Sequence, residues 1–96
     1  MTPRVVVVGL GPAGADLVLP AARSALVRAP RRFVRTQRHP AVADLRAEGI
    51  DLEPLDDCYE AAADFESAYA AIVGRVVAAA VETGEVAYAV PGSPTV

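Results

Sequence analysis

Four consecutive valines lead into Gly9, Gly11 and Gly14 in the stretch RVVVVGLGPAGADL, residues 4–17. The spacing G-x-G-x-x-G after an apolar run is the pattern of a dinucleotide pyrophosphate site, where glycines let the backbone approach phosphate. That chemistry has two further conditions. A helix must begin at the loop so that its N-terminus faces the phosphates, and an acid about 20 residues on must bind the ribose hydroxyl. A helix beginning near Pro12 would carry Pro20 in its interior, at a cost of about 3 kcal/mol or more. Residues 17–43 contain no Asp or Glu. Both conditions fail, so the glycines are expected to shape a longer loop over residues 9–19, with a helix starting at Pro20. Arg35 and Arg38 could accept a 2′-phosphate, which leaves an NADP-binding fold as a third alternative.

A second loop has the same character. Pro91, Gly92, Ser93 and Pro94 offer backbone groups and one hydroxyl. Neither loop supplies a general base, a nucleophile pair or a set of metal ligands, so no catalytic residue and no metal site is assigned. Such loops suit the holding and orienting of a ligand, and a reaction that needs only proximity of two bound reactants. Elsewhere, His39 could act as a base or a phosphate contact, but it has no identified acid partner, and a role in its turn is the simpler expectation. Asp56 and Asp57 could bind a cation, against which turn and cap roles are expected. Cys58 has no neighbouring His or Lys and is expected to be a buried, inert thiol.

The elements that must position these loops follow from local pattern. Arg4–Val8 is β-branched without polar alternation, as in a parallel strand covered on both faces. Pro20–Ala29 reads as a helix with Pro20 in the first turn, and Arg31–Thr36 as a second strand. Ala41–Gly49 reads as a helix closed by Gly49, and Ile50–Leu55 as a short edge strand containing Pro54. The stretch DDCYEAAAD reads as a turn with at most one helical turn. A long helix follows, with Asp64 as N-cap, Gly84 as terminator, and Phe65, Tyr69, Ile72, Val73, Val76, Val77 and Ala80 as its buried stripe. Glu85–Val90 is the fourth strand, with Tyr88 expected in the core. The order βαβαβαβ predicts an α/β fold with a parallel sheet, and ligands in such sheets bind beyond the carboxyl ends of strands.

Composition narrows the partners. The chain has 96 residues, 53% hydrophobic and 22% charged, which excludes a disordered segment and suits one domain. All nine basic residues are arginines. Arg28, Arg31, Arg32, Arg35 and Arg38 form a basic cluster, but only Phe33 interleaves with them, so a solvated edge is expected rather than a nucleic-acid surface. A single cysteine fits a reducing, cytoplasmic setting. No uninterrupted apolar run is long enough to span a membrane.

The two loops together carry a family resemblance. VVVVGLGPAGADLV, FVRTQRHPAVADLRAEGI, DDCYEAAADFESAY and VAYAVPGSPTV resemble the N-terminal lobe of the tetrapyrrole methylase family. Closest is the methylase-like domain found in front of MazG-type nucleoside triphosphate pyrophosphohydrolases. The resemblance runs the length of the chain. It implies an S-adenosyl-L-methionine-dependent methyltransferase that acts on a small-molecule acceptor such as a tetrapyrrole, as a homodimer in the complete protein. It also implies that Gly9, Gly11 and Pro12 shape the floor of the cofactor cleft and that Leu10 contacts the cofactor. In the second motif, Gly92, Ser93, Pro94 and Val96 would occupy the family's G-D-P stretch, with Ser93 and Val96 as cofactor contacts. Two departures stand out: Ala13 and Gly14 replace the last two residues of the family's G-P-G-D, and Ser93 replaces its Asp. Residues 1–96 are accordingly expected to be one lobe, a fragment of a longer domain. The alternative is a non-catalytic, ligand-sensing module attached to a MazG-type hydrolase.

Overall fold

The four valines of β1 (Arg4–Gly9) pair along their length with β4 (Glu85–Val90), in parallel and in register from Arg4 opposite Glu85 to Gly9 opposite Val90. The computed structural model describes residues 2–12, 14, 16 and 18–92. Between those strands run α1 (Pro20–Arg28), β2 (Arg31–Val34), α2 (Pro40–Ala47), β3 (Glu53–Pro54), α3 (Asp56–Ala61) and α4 (Phe65–Thr83). The sheet order is β1-β4-β2-β3 and every pairing is parallel. The chain is thus an α/β fold in which the last strand inserts between the first two. The loops after β1 and β4 therefore leave neighbouring strands in the same direction.

Side chains of adjacent strand residues point to opposite faces, and this splits the core in two. Val34, Ala87 and Ala89 face α1 and α2, where Leu26, Val42 and Leu45 complete one cluster. Phe33 and Val86 face α3 and α4, where Cys58, Ile72, Val76, Ala79 and Ala80 complete the other. Cys58 is a buried free thiol, as expected.

Local chemistry sets most boundaries. The first helix starts at Pro20 as expected but ends at Arg28, because Ala29, before Pro30, is driven to extended backbone with ψ 134°. The second helix starts one residue before the expected Ala41: Pro40 takes the first helical position and His39 the N-cap. It closes in a Schellman motif. Gly49 adopts φ 88°, its N–H donates to Arg46, and the N–H of Ile50 reaches back to Leu45 at 2.9 Å. Ile50 is therefore part of a helix cap, and β3 shrinks to two residues instead of the expected Ile50–Leu55. The second strand stops at Val34 rather than Thr36 because Thr36 and Gln37 turn onto Asp56. The stretch after Leu55, expected as little more than a turn, is a six-residue helix.

The long helix corrects the expected stripe. Asp64 caps it, accepting from the Ser67 N–H at 2.7 Å, and Gly84 ends it with φ 89°. Ile72, Val76 and Ala80 are buried, joined by Ala68 and Ala79, whose small side chains let the helix approach the sheet. Phe65, Tyr69, Val73 and Val77 are exposed, Phe65 by 71%. This ridge lies one residue, about 100°, further round the helix than the buried ridge Ala68, Ile72, Val76 and Ala80, so it faces away from the sheet. Tyr88 packs against the second cluster without being fully buried, and that burial pushes its hydroxyl pKa up. Val5 and Val7 are 38% and 47% exposed, so β1, at the sheet edge, is covered less than a strand packed on both faces.

Candidate functional site

Gly9 closes β1, and the chain continues to follow β4 beyond the regular ladder. The Leu10 N–H donates to the carbonyl of Val90 at 2.9 Å. Gly11 and Gly92 then exchange both backbone hydrogen bonds, each at 3.2 Å. Both residues have positive φ, 76° and 70°, a conformation an L side chain would strain. The two loops singled out from composition are therefore one structural unit at the carboxyl ends of adjacent parallel strands. Ser93, Pro94 and Val96 lie outside the described residues.

A cavity of about 620 Å³ opens beside this unit. Its walls are Val6, Val7 and Val8 of β1, Leu19 and the alanines 21, 22 and 25 of α1, and Gly9, Gly11, Pro12 and Gly92 of the loops. The helix begins only at Pro20, and its small alanines face the cavity. Four residues expected at a cofactor cleft (Gly9, Gly11, Pro12 and Gly92) line one cavity. Leu10 does not. It has no exposed surface and sits in the core beside Val8, so its side chain anchors the loop. Among the described residues no lining residue carries a titratable group. Those residues offer apolar surface and backbone donors and acceptors, and no side-chain proton transfer. Gly14, the third glycine of the motif, packs tightly: a Cβ there would lie 2.8 Å from an Asp44 carboxylate oxygen of α2.

His39 joins this site from outside the motif. Only 9% of it is exposed. Its Nδ1 accepts from the Ala41 N–H at 3.1 Å, capping α2, and its Nε2 lies 2.7 Å from the carbonyl oxygen of Gly11. The expected turn role is present, and the contact to Gly11 is one that local pattern does not reveal. The His-Pro pair at a helix start was its only signal.

The remaining candidates have structural occupations. Asp56 holds the β2–α2 loop, accepting from Thr36 Oγ1 at 2.8 Å and from the Gln37 N–H at 2.9 Å. Asp57 accepts two bonds from Arg75, at 3.1 and 2.9 Å, and that guanidinium lowers its pKa below the ordinary value. Among the described residues no group of three metal-ligating side chains gathers. In the basic cluster, Arg28 pairs with Glu85 and Arg31 with Glu53, Arg31 also lying 4.9 Å from the centre of the Phe33 ring. Arg32 donates to the carbonyls of Leu26 and Asp51. These three arginines tie α1 to β4, and β2 to α1 and β3. Among the described residues no helix is long and apolar enough to cross a membrane.

Over all 96 of its residues the chain is 35% identical to the uncharacterized protein YabN of Bacillus subtilis (strain 168), of whose length it spans 19%. No family model matches the chain, and no solved structure matches it.

Proposed function

We propose that this chain forms one wall of the S-adenosyl-L-methionine cleft of a tetrapyrrole methylase-like methyltransferase. The observation that carries the reading is the pairing of Gly11 with Gly92, which makes a single ligand-facing unit from two glycine loops beside an apolar cavity. The residues fit such a guest. An adenosine and a methionine chain present broad apolar surface with a few polar edges, and the lining offers apolar surface with backbone groups at its rim. When bound, the cofactor supplies an electrophilic methyl group for direct displacement by a small-molecule acceptor, a tetrapyrrole being one candidate. The role of the wall is orientation: Gly9, Gly11, Pro12 and Gly92 set the floor, Val6 and Val8 exclude water, and proximity does the rest. A homodimer and a cytoplasmic setting belong to the same proposal. NADP is disfavoured because α1 begins at Pro20, so its N-terminus does not follow directly on the glycine motif.

A second reading is favoured by the absence of titratable side chains among the described residues of the cavity wall. The domain then senses a ligand, or holds a MazG-type hydrolase partner, without catalysis. Transfer of label from methyl-labelled cofactor to any acceptor would decide for the enzyme.

Ligand-observed saturation-transfer spectroscopy tests the binding claim. One wall alone should bind weakly, with a Kd on the order of 1 mM, about −4 kcal/mol. S-adenosylhomocysteine should show transfer to its adenine and thioether protons, and NADP⁺ should not compete. Transfer to NADP⁺ with none to S-adenosylhomocysteine would overturn the proposal.

A further inference from the structure

We infer that His39 is a positioning residue of the two-loop site, fixing Gly11, and through it Gly92, relative to α2. The inference rests on the reading of those loops as a ligand site, but its geometry stands by itself. The N–H of Ala41 points at Nδ1, so Nδ1 carries no proton and serves as an acceptor. The proton of the neutral ring is therefore on Nε2, where it donates to the Gly11 carbonyl at 2.7 Å. The ring is held at both ends by backbone and is almost fully buried. Among the described residues Gly11 takes part in three hydrogen bonds: two with Gly92 and one from His39. A glycine with free access to both halves of φ is the residue most in need of such a clamp. The His39 bond links the loop pair to a helix rather than to itself. Cap and clamp are separable functions of the two ring nitrogens.

That separation gives the test. His39→Asn keeps a good N-cap for α2 but is too short to reach Gly11. The unfolding midpoint should fall only by the several degrees that loss of one hydrogen bond implies, and the protection of the Ala41 amide should stay close to that of the parent chain. The amides of Gly11 and Gly92 should exchange roughly fivefold faster, as expected for loss of one hydrogen bond. His39→Gln, whose side-chain amide can reach Gly11, should recover part of that protection while the start of α2 frays. In the unsubstituted chain, ring nitrogen spectra should show the Nε2-protonated tautomer, a readout that survives even if both variants fail to fold. Unchanged Gly11 and Gly92 exchange in the Asn variant, or an Nδ1-protonated ring, would refute the assignment. If the unsubstituted chain shows no response to S-adenosylhomocysteine, the cofactor reading falls, while the exchange and tautomer data still decide the role of His39.

Discussion

Gly11 and Gly92 sit near opposite ends of the chain yet donate to and accept from each other, each bond 3.2 Å long. The contact exists because β4 inserts beside β1 and keeps its register to the last pair, Gly9 opposite Val90. Two positive-φ residues in one bridge make the site sensitive to any side chain placed there.

Gly11→Ala and Gly92→Ala should each lower stability by about 1–2 kcal/mol, the cost of left-handed backbone for an L residue. In a domain of this size each kcal/mol moves Tm by roughly 4–8 °C. Gly74→Ala should act in the opposite sense. Gly74 lies inside α4, its φ is not positive, and an added Cβ meets nothing within 4 Å. A gain of about 0.5–1 kcal/mol is expected there, and thermal melts of the three variants check both signs.

Neighbouring residues on α4 should respond very differently to truncation. Ile72 is 2% exposed and packs under the sheet, whereas Val73 is 43% exposed. Ile72→Ala should cost about 2–5 kcal/mol, and Val73→Ala should stay within about 0.5 kcal/mol. Urea midpoints with unchanged slopes would establish the difference.

Acid should remove a defined part of the stability. The carboxyl of Asp57 is held below its ordinary pKa first by the Arg75 hydrogen bonds, and that of Asp64 by the Ser67 backbone N–H. A carboxylate with a depressed folded pKa stabilises the fold above its unfolded value, near 3.9, and loses that contribution as pH falls through the folded value. Unfolding midpoints should therefore drop below about pH 4, with a shallower drop in Asp57→Asn. An unchanged acid slope in that variant would remove the pair from the account.

The exposed valines of β1 predict a solubility effect. Val5 and Val7 lie on an edge strand that carries no inward charge, proline or bulge among its six residues. Val7→Lys should raise the protein concentration at which light scattering first reports association, while leaving the melting temperature nearly unchanged.

Short-range chemistry made much of this fold legible. Pro20, Gly49, Asp64 and Gly84 act on their immediate neighbours, and each marks the boundary its type predicts. The failure of a nucleotide-type helix start at Pro12 was legible for the same reason. What local pattern does not contain is which ridge of α4 meets the sheet. Phe65 and Tyr69 satisfy helical spacing, yet alanines 68 and 79 win the interface because they permit closer packing. Nor does it contain the contact of His39 with Gly11, which depends on where α2 docks against the loop. Of the expected site, Gly9, Gly11, Pro12 and Gly92 come together, and Leu10 turns into the core.

Amide shift mapping decides whether the Gly11–Gly92 unit faces a ligand. In a titration with S-adenosylhomocysteine into the millimolar range, on the order of the Kd expected for one wall, the amides of Gly9, Gly11 and Gly92 should shift together along one binding curve. Those of Gly49 and Gly84, positive-φ glycines that cap helices, should stay still. Stationary Gly9, Gly11 and Gly92 resonances, or shifts centred on the helix-cap glycines, would contradict the account.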